Sequence, residues 1–146
     1  MIETPTDFLG AIPKTLKENL EYRKKLWISL TDDIGFRKVF LEACNELPEI
    51  AFDSLFFTFN PRLKAGYRNQ PFILRPQQRK VVTEVNDSIN VGYDRVINKS
   101  RDEGATEIVT KLFALHWLLS PESMFLIGSR KEEYVDRGTD ILVGRV

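Results

Sequence analysis

Residues 99–106, Lys-Ser-Arg-Asp-Glu-Gly-Ala-Thr, carry the most specific chemical pattern in the sequence. A phosphate-binding loop needs a strand end, backbone N–H groups that point into the loop, a lysine ammonium, and a helix that starts with Ser or Thr. Against the pattern G-x-x-x-x-G-K-[ST], Gly104 and Thr106 occupy the second glycine and the Ser/Thr position, while Ala105 replaces the lysine. Lys99 stands at the first glycine position, from which its flexible side chain can bring its charge back over the loop. The spacing fits a phosphate site with a relocated lysine, or an ordinary loop between a strand and a helix.

Several residues of this loop suit tasks in phosphate binding. Gly104 allows the close backbone approach that a phosphate requires, and the Thr106 hydroxyl can bind a magnesium ion as Ser or Thr does in P-loop enzymes. Asp102 and Glu103 form a pair of carboxylates that acid–base chemistry can use in principle. In a loop that receives phosphates, we expect them instead to cap the following helix or to hold the basic side chains of the loop.

Four residues outside the loop belong to types that often do chemistry. His116 is the only histidine, and we expect it to be packed or at the surface because no nucleophile or ligand set accompanies it. The single thiol of Cys44 is expected to be packed as well, in a reducing compartment. Arg130 would face phosphate or DNA at the carboxyl edge of a parallel sheet. The alternative, that Ser129 starts a helix there, is favoured by the glutamates three and four residues later.

The elements around the loop are predicted from hydrophobic patterns. Residues 95–98 form a short β-branched strand candidate, residues 106–119 are apolar over most of a helix circumference, and residues 124–127 form a second apolar run of strand length. Two strands joined by a buried helix predict a right-handed parallel βαβ unit. Upstream, Pro76 opens a helix that ends near Gly92.

The first half of the chain reads as a helical region. Residues 13–30 show rough helical spacing, and a second helix follows a capping Thr-Asp-Asp sequence and ends before Pro48. The secondary structure of residues 50–59, which are rich in Phe, stays open, and we expect these aromatic side chains to pack rather than to stack on bases. Residues 64–70 have little to bury and are predicted to link two modules. The predicted domains are therefore residues 1–70 and residues 71–146.

Composition limits the classes of protein that the chain can represent. Its 146 residues include 21 Lys plus Arg and 21 Asp plus Glu, so no global positive field favours wrapping around nucleic acid. Hydrophobic residues make up 42% of the chain, which excludes a disordered class. No apolar run is long enough to span a membrane, and the N-terminal residues do not form a signal peptide. We expect a cytoplasmic protein without a membrane partner.

Three ordered segments resemble the large subunit of tailed-phage DNA-packaging terminases. Residues 99–106 look like the deviant Walker A motif of that family, in which the lysine commonly sits at the start of the loop. Residues 72–79, Phe-Ile-Leu-Arg-Pro-Gln-Gln-Arg, resemble the preceding segment in which a glutamine reads the adenine, and Gln78 is the better candidate than Gln77. Residues 52–62 resemble the aromatic and Asn-Pro stretch further upstream. The resemblance covers most of the chain.

The resemblance implies an α/β fold, with a helical N-terminal extension followed by the first part of a P-loop (RecA/ASCE-like) parallel-sheet ATPase domain. It implies binding of ATP and Mg²⁺, with Thr106 as the metal ligand. It also implies double-stranded DNA, a portal and a small terminase subunit as partners, a ring of motor subunits, and the host cytoplasm as the location. The ATP-binding residues that it implies are Gln78, Lys99, Ser100, Arg101, Asp102, Glu103, Gly104, Ala105 and Thr106.

The chain departs from a working motor of that family. A terminase needs a Walker B strand that ends in Asp, an adjacent catalytic Glu, and a C-terminal nuclease with an acidic metal cluster, and none of these is recognisable here. We therefore expect the N-terminal part of a terminase ATPase domain, incomplete at the C-terminus, that binds nucleotide without turnover. The alternative is a non-catalytic interaction domain whose N-terminal helices dock a portal or another packaging subunit.

Overall fold

The computed structural model describes residues 4–100 and 103–128. The chain divides into two compact units, Met1–Arg75 and Pro76–Val146, called here the N-terminal and C-terminal units. The sequence placed the boundary after residue 70. The structure instead keeps residues 69–71 in the N-terminal unit because they form one strand of a hairpin there.

Four helices build most of the N-terminal unit. Thr4 and Asp7 form a reciprocal capping box at the first helix, which the sequence analysis did not predict. The Asp33 carboxylate accepts a hydrogen bond from the Phe36 N–H at 2.9 Å, so the predicted cap of the third helix is confirmed. The helices are α1 (Pro5–Ala11), α2 (Leu16–Asp32), α3 (Ile34–Glu46) and α4 (Glu49–Ser54).

Aromatic side chains form the core of this unit. Phe8 of α1 contacts Phe40 of α3 edge to face, with ring centroids 5.5 Å apart. Phe52 of α4 contacts Phe72 in the same way at 5.4 Å. Phe40 and Phe52 are both completely buried. Edge-to-face packing suits the quadrupole of aromatic rings, so these pairs help to fix how the helices meet.

A two-stranded antiparallel hairpin completes the N-terminal unit. Strand β1 (Phe57–Phe59) pairs with β2 (Asn69–Pro71), with Thr58 opposite Gln70. The prediction that residues 64–70 form a linker is therefore wrong. These residues have little to bury, as the sequence suggested, but the ladder hydrogen bonds hold them in a loop and a strand.

The C-terminal unit is built on two helices, α5 (Pro76–Val91) and α6 (Ala105–Leu119), which pack against each other. Both helices were predicted, and their extents are confirmed to within a few residues. Val82 of α5 is completely buried, and so is Leu112 of α6. Helical periodicity located these elements because a buried face recurs along each helix.

The two strands predicted around α6 are not observed. Residues 95–98 and 124–127 lie in the described part of the chain and have no strand hydrogen bonds. Val96 is 92% exposed and Leu126 is 95% exposed. A β-branched or apolar run forms a strand only where a neighbouring strand pairs with it, and the described residues of this unit supply no such strand. The parallel-sheet ATPase fold thus stays a prediction.

Candidate functional site

The side chain of Gln78 connects α5 to the predicted phosphate-binding loop. Its Nε2 atom donates a hydrogen bond to the Glu103 carbonyl oxygen at 3.2 Å. Gln78 is buried at the start of α5, whereas the neighbouring Gln77 is exposed. The structure therefore brings together residues from two of the segments that carry the resemblance, through the glutamine that the sequence analysis preferred.

Gly104 gives the loop its shape immediately before α6. Its φ of +75° lies in the left-handed region, which glycine adopts without steric cost. A Cβ atom at this position would lie 3.3 Å from Gln78 Nε2, closer than an ordinary van der Waals contact. Both the backbone conformation and the adjacent glutamine thus favour glycine here. The sequence analysis predicted a close approach of phosphate to Gly104, whereas the neighbour that the structure shows there is the Gln78 side chain.

Helix α6 begins its first turn directly after this loop, at Ala105. Gly104 is its N-cap residue, and no described side chain caps the helix. The first N–H groups of an uncapped helix have no partner within the helix and can bind an anion. Thr106 is exposed in this turn, and its carbonyl oxygen accepts a hydrogen bond from the Thr110 hydroxyl at 2.8 Å. The helix start has the backbone donors that the phosphate prediction requires.

Some polar side chains in the described part of the loop form hydrogen bonds there, whereas the lysine side chain does not. The Ser100 hydroxyl donates a hydrogen bond to the Glu103 carboxylate at 3.2 Å. Lys99 is exposed and has no hydrogen-bond or ion-pair partner among the residues that the structure describes. Glu103 was expected to cap α6 or to hold a basic side chain. No described side chain caps α6, and the Glu103 carboxylate contacts the Ser100 hydroxyl. The lysine charge therefore remains in solvent.

Some of the predicted site residues lie outside the part of the chain that the structure describes. Arg101 and Asp102 lie outside the described residues, as do Ser129 and Arg130. Within the described residues no group of three or more His, Cys, Asp or Glu side chains could hold a metal ion. Magnesium that arrives with a nucleotide is bound largely by phosphates and water, so a single hydroxyl such as that of Thr106 suits it without such a group.

An apolar cavity of about 360 Å³ lies beside the first turns of α6. Thr106, Thr110 and Phe113 line it from the helix, and residues 126–128 line it from the segment that was predicted as a strand. Phe125 stacks on Phe113 with ring centroids 4.5 Å apart, which holds that segment against α6. This shallow, open depression is lined mostly by apolar surface, with two hydroxyl-bearing residues among those that line it.

His116 is packed, as predicted. It is buried on α6, and its Nε2 atom lies 2.8 Å from Asn86 Oδ1 of α5. Since an amide oxygen only accepts, Nε2 carries the proton in this pair. Burial lowers the pKa of His116 below its usual value of 6.5 because the charged ring would lose solvation. The sequence signal that was missed is Asn86, a polar residue on the apolar face of α5.

A second buried polar cluster lies in the N-terminal unit, and the sequence analysis missed it. Asp53 is completely buried, and its carboxylate accepts hydrogen bonds from Leu74 N–H at 2.7 Å and Lys14 Nζ at 2.6 Å. The Asp53 carbonyl accepts another from Asn19 Nδ2 at 2.9 Å. Asn19 Oδ1 in turn accepts from Arg23 Nε at 2.6 Å. The one available signal was the four-residue spacing of Asn19 and Arg23 on the buried face of α2.

Arg23 shows how fully this cluster is enclosed. Desolvation lowers its pKa to about 10, and the charge of Asp53 opposes that change. Its guanidinium donates to the Phe52 carbonyl at 3.1 Å and lies 4.8 Å from the centroid of the Phe57 ring. Every polar atom of the Asp53 and Asn19 side chains is directed at the protein itself, so these two residues stabilise the fold. Arg23 Nη1 is buried without a hydrogen-bond partner among the described residues.

No helix among the described residues has the length and apolar character to cross a membrane. The comparisons with known proteins yield no relative: no family model, no curated protein sequence and no solved structure significantly matches this chain.

Proposed function

We propose that the chain is the N-terminal ATPase-domain segment of a phage terminase large subunit, which binds ATP with Mg²⁺ to power DNA packaging into the procapsid. The observation that carries this proposal is the hydrogen bond from Gln78 Nε2 to the Glu103 carbonyl. It links the glutamine segment to the phosphate-binding loop, as expected of two motifs that serve one nucleotide. The proposal places the protein in the host cytoplasm, with double-stranded DNA, a portal and a small terminase subunit as partners of the intact protein.

The proposed roles follow from the environment of each residue. The exposed Lys99 ammonium neutralises phosphate charge, and the N–H groups at the start of α6, which no described side chain caps, bind phosphate oxygens. Gly104 keeps the backbone clear for this approach. Thr106 supplies a hydroxyl to Mg²⁺, whose chemistry in such a site is to neutralise charge on the β- and γ-phosphates. Gln78 holds the loop through the Glu103 carbonyl, and the resemblance to terminases gives it the role of reading the adenine.

The first test is a nucleotide titration of the 146-residue chain with ATP, in the presence and absence of Mg²⁺, by isothermal calorimetry. We expect binding that requires Mg²⁺ and no hydrolysis. Lys99→Ala should weaken ATP binding by at least about tenfold, since charge-assisted hydrogen bonds to phosphate contribute about 1.5–3 kcal/mol. Lys80→Ala is the matched control, because Lys80 is an exposed lysine of the same unit.

The loop chemistry predicts two further results in the same titration. Lys99→Arg should also weaken binding, because a planar guanidinium does not replace a compact ammonium. Ala105→Lys, which restores the ordinary motif, should not improve it, since the loop is shaped for a lysine that approaches from its other end. Equal ATP affinity in Lys99→Ala and the unchanged chain would overturn the assignment of the relocated lysine.

A non-catalytic interaction domain is the second candidate, and exposed apolar side chains of the N-terminal unit favour it. Trp27 and Ile28 in the last turns of α2 are more than half exposed, as is Ile34 at the start of α3. Large apolar side chains in solvent often mark protein contacts. Under this alternative the chain binds no nucleotide in the titration above. Trp27→Ala would then abolish its association with a packaging subunit, whereas Lys99→Ala would leave it unchanged.

A further inference from the structure

The hairpin of the N-terminal unit presents an unusual combination of charge and exposed aromatic surface. No Asp or Glu occurs between Asp53 and Glu84, while six Lys or Arg residues do. Three of these six, Arg62, Lys64 and Arg68, lie in or next to the loop that joins β1 to β2. Although the whole chain has no net charge, this stretch is strongly positive, so its attraction for a polyanion is local.

Aromatic rings accompany the charges. Phe59 on β1 is 55% exposed, and Tyr67 in the loop is 71% exposed. The sequence analysis expected the Phe-rich segment to be packed, which is right for Phe52 but wrong for Phe59. The reason is that successive side chains of a strand point to opposite faces. Phe57 and Phe59 lie two residues apart on one face of β1, and the structure leaves that face partly open.

The loop itself is ordered by internal hydrogen bonds. Asn60 N–H donates to the Arg68 carbonyl at 2.8 Å, and Tyr67 N–H donates to the Lys64 carbonyl at 3.0 Å. Gly66 supplies the left-handed turn between them, with φ of +89°. Arg68 Nε donates to the Leu63 carbonyl at 3.0 Å. Exposed rings and cations are thus held on a closed turn, which lowers the entropy lost when they bind a ligand.

Two cations of this loop, Lys64 and Arg68, remain available for an anion. Within the described part of the chain, neither Lys64 nor Arg68 forms an ion pair. An acidic protein surface would use the charges, but it does not offer the rings a row of flat aromatic groups spaced between anions. A nucleic-acid single strand uses both, because its phosphates contact the cations and its unpaired bases stack on the rings. In a duplex the bases are already stacked on one another, so the rings would contribute little.

We propose that this hairpin, residues 57–71, binds single-stranded nucleic acid, with Phe59 and Tyr67 as stacking surfaces and Lys64 and Arg68 as phosphate contacts. The proposal uses none of the residues assigned to ATP and stands on charge, exposure and loop geometry alone. It therefore holds whether or not the C-terminal unit binds a nucleotide. The partner is defined by its chemistry, a flexible polyanion with accessible aromatic bases, and the sequence of bases is not read.

The test is fluorescence anisotropy of a labelled 20-nucleotide oligothymidine titrated with the full chain in the absence of ATP. The double variant Phe59→Ala/Tyr67→Ala should lower the affinity by at least about tenfold, given the usual contribution of base stacking. Trp117→Ala is the matched control, because Trp117 is an exposed aromatic residue of α6, and it should bind like the unchanged chain. Circular dichroism of each variant verifies that the helices remain folded.

Salt dependence tests the cations separately. Lys64→Ala should reduce the slope of log K against log salt by about 0.7, the value for one lost phosphate contact on a single strand. Lys17→Ala, which removes an exposed lysine of α2, should leave the slope unchanged. Arg68→Lys keeps the charge and should keep most of the slope, which separates the charge of Arg68 from its hydrogen bond to Leu63.

Three outcomes would overturn the proposal. The first is an oligothymidine affinity that the hairpin variants do not change. The second is a loss of affinity in Trp117→Ala or Lys17→Ala as large as in the hairpin variants. The third is duplex binding as tight as single-strand binding and insensitive to Phe59→Ala/Tyr67→Ala, which would indicate contact with phosphates alone. ATP binding is measured on the same samples, so a failure of the ATP-site assignment is seen independently.

Discussion

The two units use their buried polar side chains in different ways. In the N-terminal unit, Asp53 directs its carboxylate at Lys14 and at the Leu74 N–H, so its polar atoms are used by the fold. In the C-terminal unit, Gln78 holds the Glu103 carbonyl of a loop whose Lys99 side chain stays in solvent. The difference teaches that burial of a polar group and availability for a ligand are separate properties. A charged residue buried and hydrogen-bonded on all sides stabilises, whereas an exposed one beside a helix start can bind.

The same contrast separates the two carboxylates beside helix ends. The Asp53 carboxylate is completely enclosed at the end of α4, and replacing it exposes a backbone N–H to an apolar interior. The Glu103 carboxylate precedes α6 in a partly exposed loop, where water replaces a lost partner. Substitutions in the N-terminal cluster should therefore change stability, and those in the C-terminal loop should change binding.

The largest effect on stability is expected from a substitution in the buried cluster of the N-terminal unit. Asp53→Ala should lower the unit's free energy of unfolding by about 3 kcal/mol, because it removes a buried carboxylate that pairs with the half-exposed Lys14 and leaves the buried Leu74 N–H without its acceptor. Urea unfolding followed by circular dichroism measures the loss. Asp33→Ala is the control, since it removes an exposed carboxylate that caps α3, and it should cost only about 1 kcal/mol.

The reactivity of the Cys44 thiol measures how often the N-terminal unit opens to solvent. The thiol is completely buried, and burial raises its pKa to about 12, so the native protein should react very slowly with a disulfide reagent at neutral pH. Asp53→Ala should accelerate the reaction, because the N-terminal unit then opens more often. A labelling rate that is the same in both proteins would show that the Asp53 cluster does not control the stability of this unit.

Asn86→Ala should cause a smaller loss of stability, in the C-terminal unit. This substitution leaves the buried His116 Nε2–H without its acceptor, which should cost about 2 kcal/mol. Asn90→Ala changes the same residue type at an exposed position of α5 and should have little effect. Hydrogen exchange resolved by peptide should place the loss in α5 and α6 and leave α1–α4 unchanged. Similar losses in the two variants would mean that the buried pair contributes nothing.

The pH dependence of stability should distinguish the units further. Burial lowers the folded-state pKa of His116, so the unfolded chain binds a proton more readily than the folded one. The stability that neutral His116 contributes to the folded state is fully present above the unfolded-state pKa of about 6.5. It is lost as the pH falls from there toward the lower folded-state pKa. Exchange protection of α6 should therefore fall between pH 7 and 5. His116→Leu should remove this dependence, because the chain has no other histidine.

The smallest expected effect concerns a surface carboxylate of α5. Glu84 lies 3.8 Å from Lys80 Nζ and 3.7 Å from Arg95 Nη1, and all three side chains are at least one-third exposed. Such pairs contribute about 0.5 kcal/mol or less, and salt screens them. Glu84→Gln should lower stability by no more than that amount in low salt and not at all in 0.5 M NaCl, as measured by urea unfolding. A loss above about 1 kcal/mol would contradict this.

Much of the secondary structure could be predicted because its signals are local. The Asp33 cap, the proline at the start of α5 and the glycine before α6 each act within one helical turn of the boundary they set. The spacing of residues 99–106 likewise identified the loop around Gly104, whereas Gln78 was identified from the resemblance to terminases. The strands predicted at residues 95–98 and 124–127 are not observed, because a local signal does not determine strand pairing. Local composition favours an extended backbone, but it does not supply the neighbouring strand that makes extended backbone into a sheet.

What the sequence determined by itself, then, was where α2, α3, α5 and α6 lie and which loop combines a lysine, a glycine and a threonine at phosphate-binding spacing. Only the tertiary structure decided that Asp53 is a buried anchor, because its partners Leu74 and Lys14 lie 21 and 39 residues away in the chain. It also decided that Phe52 is in the core while Phe59 is exposed, although both belong to one Phe-rich run. Burial depends on which distant elements meet, and residues close together in sequence do not carry that information.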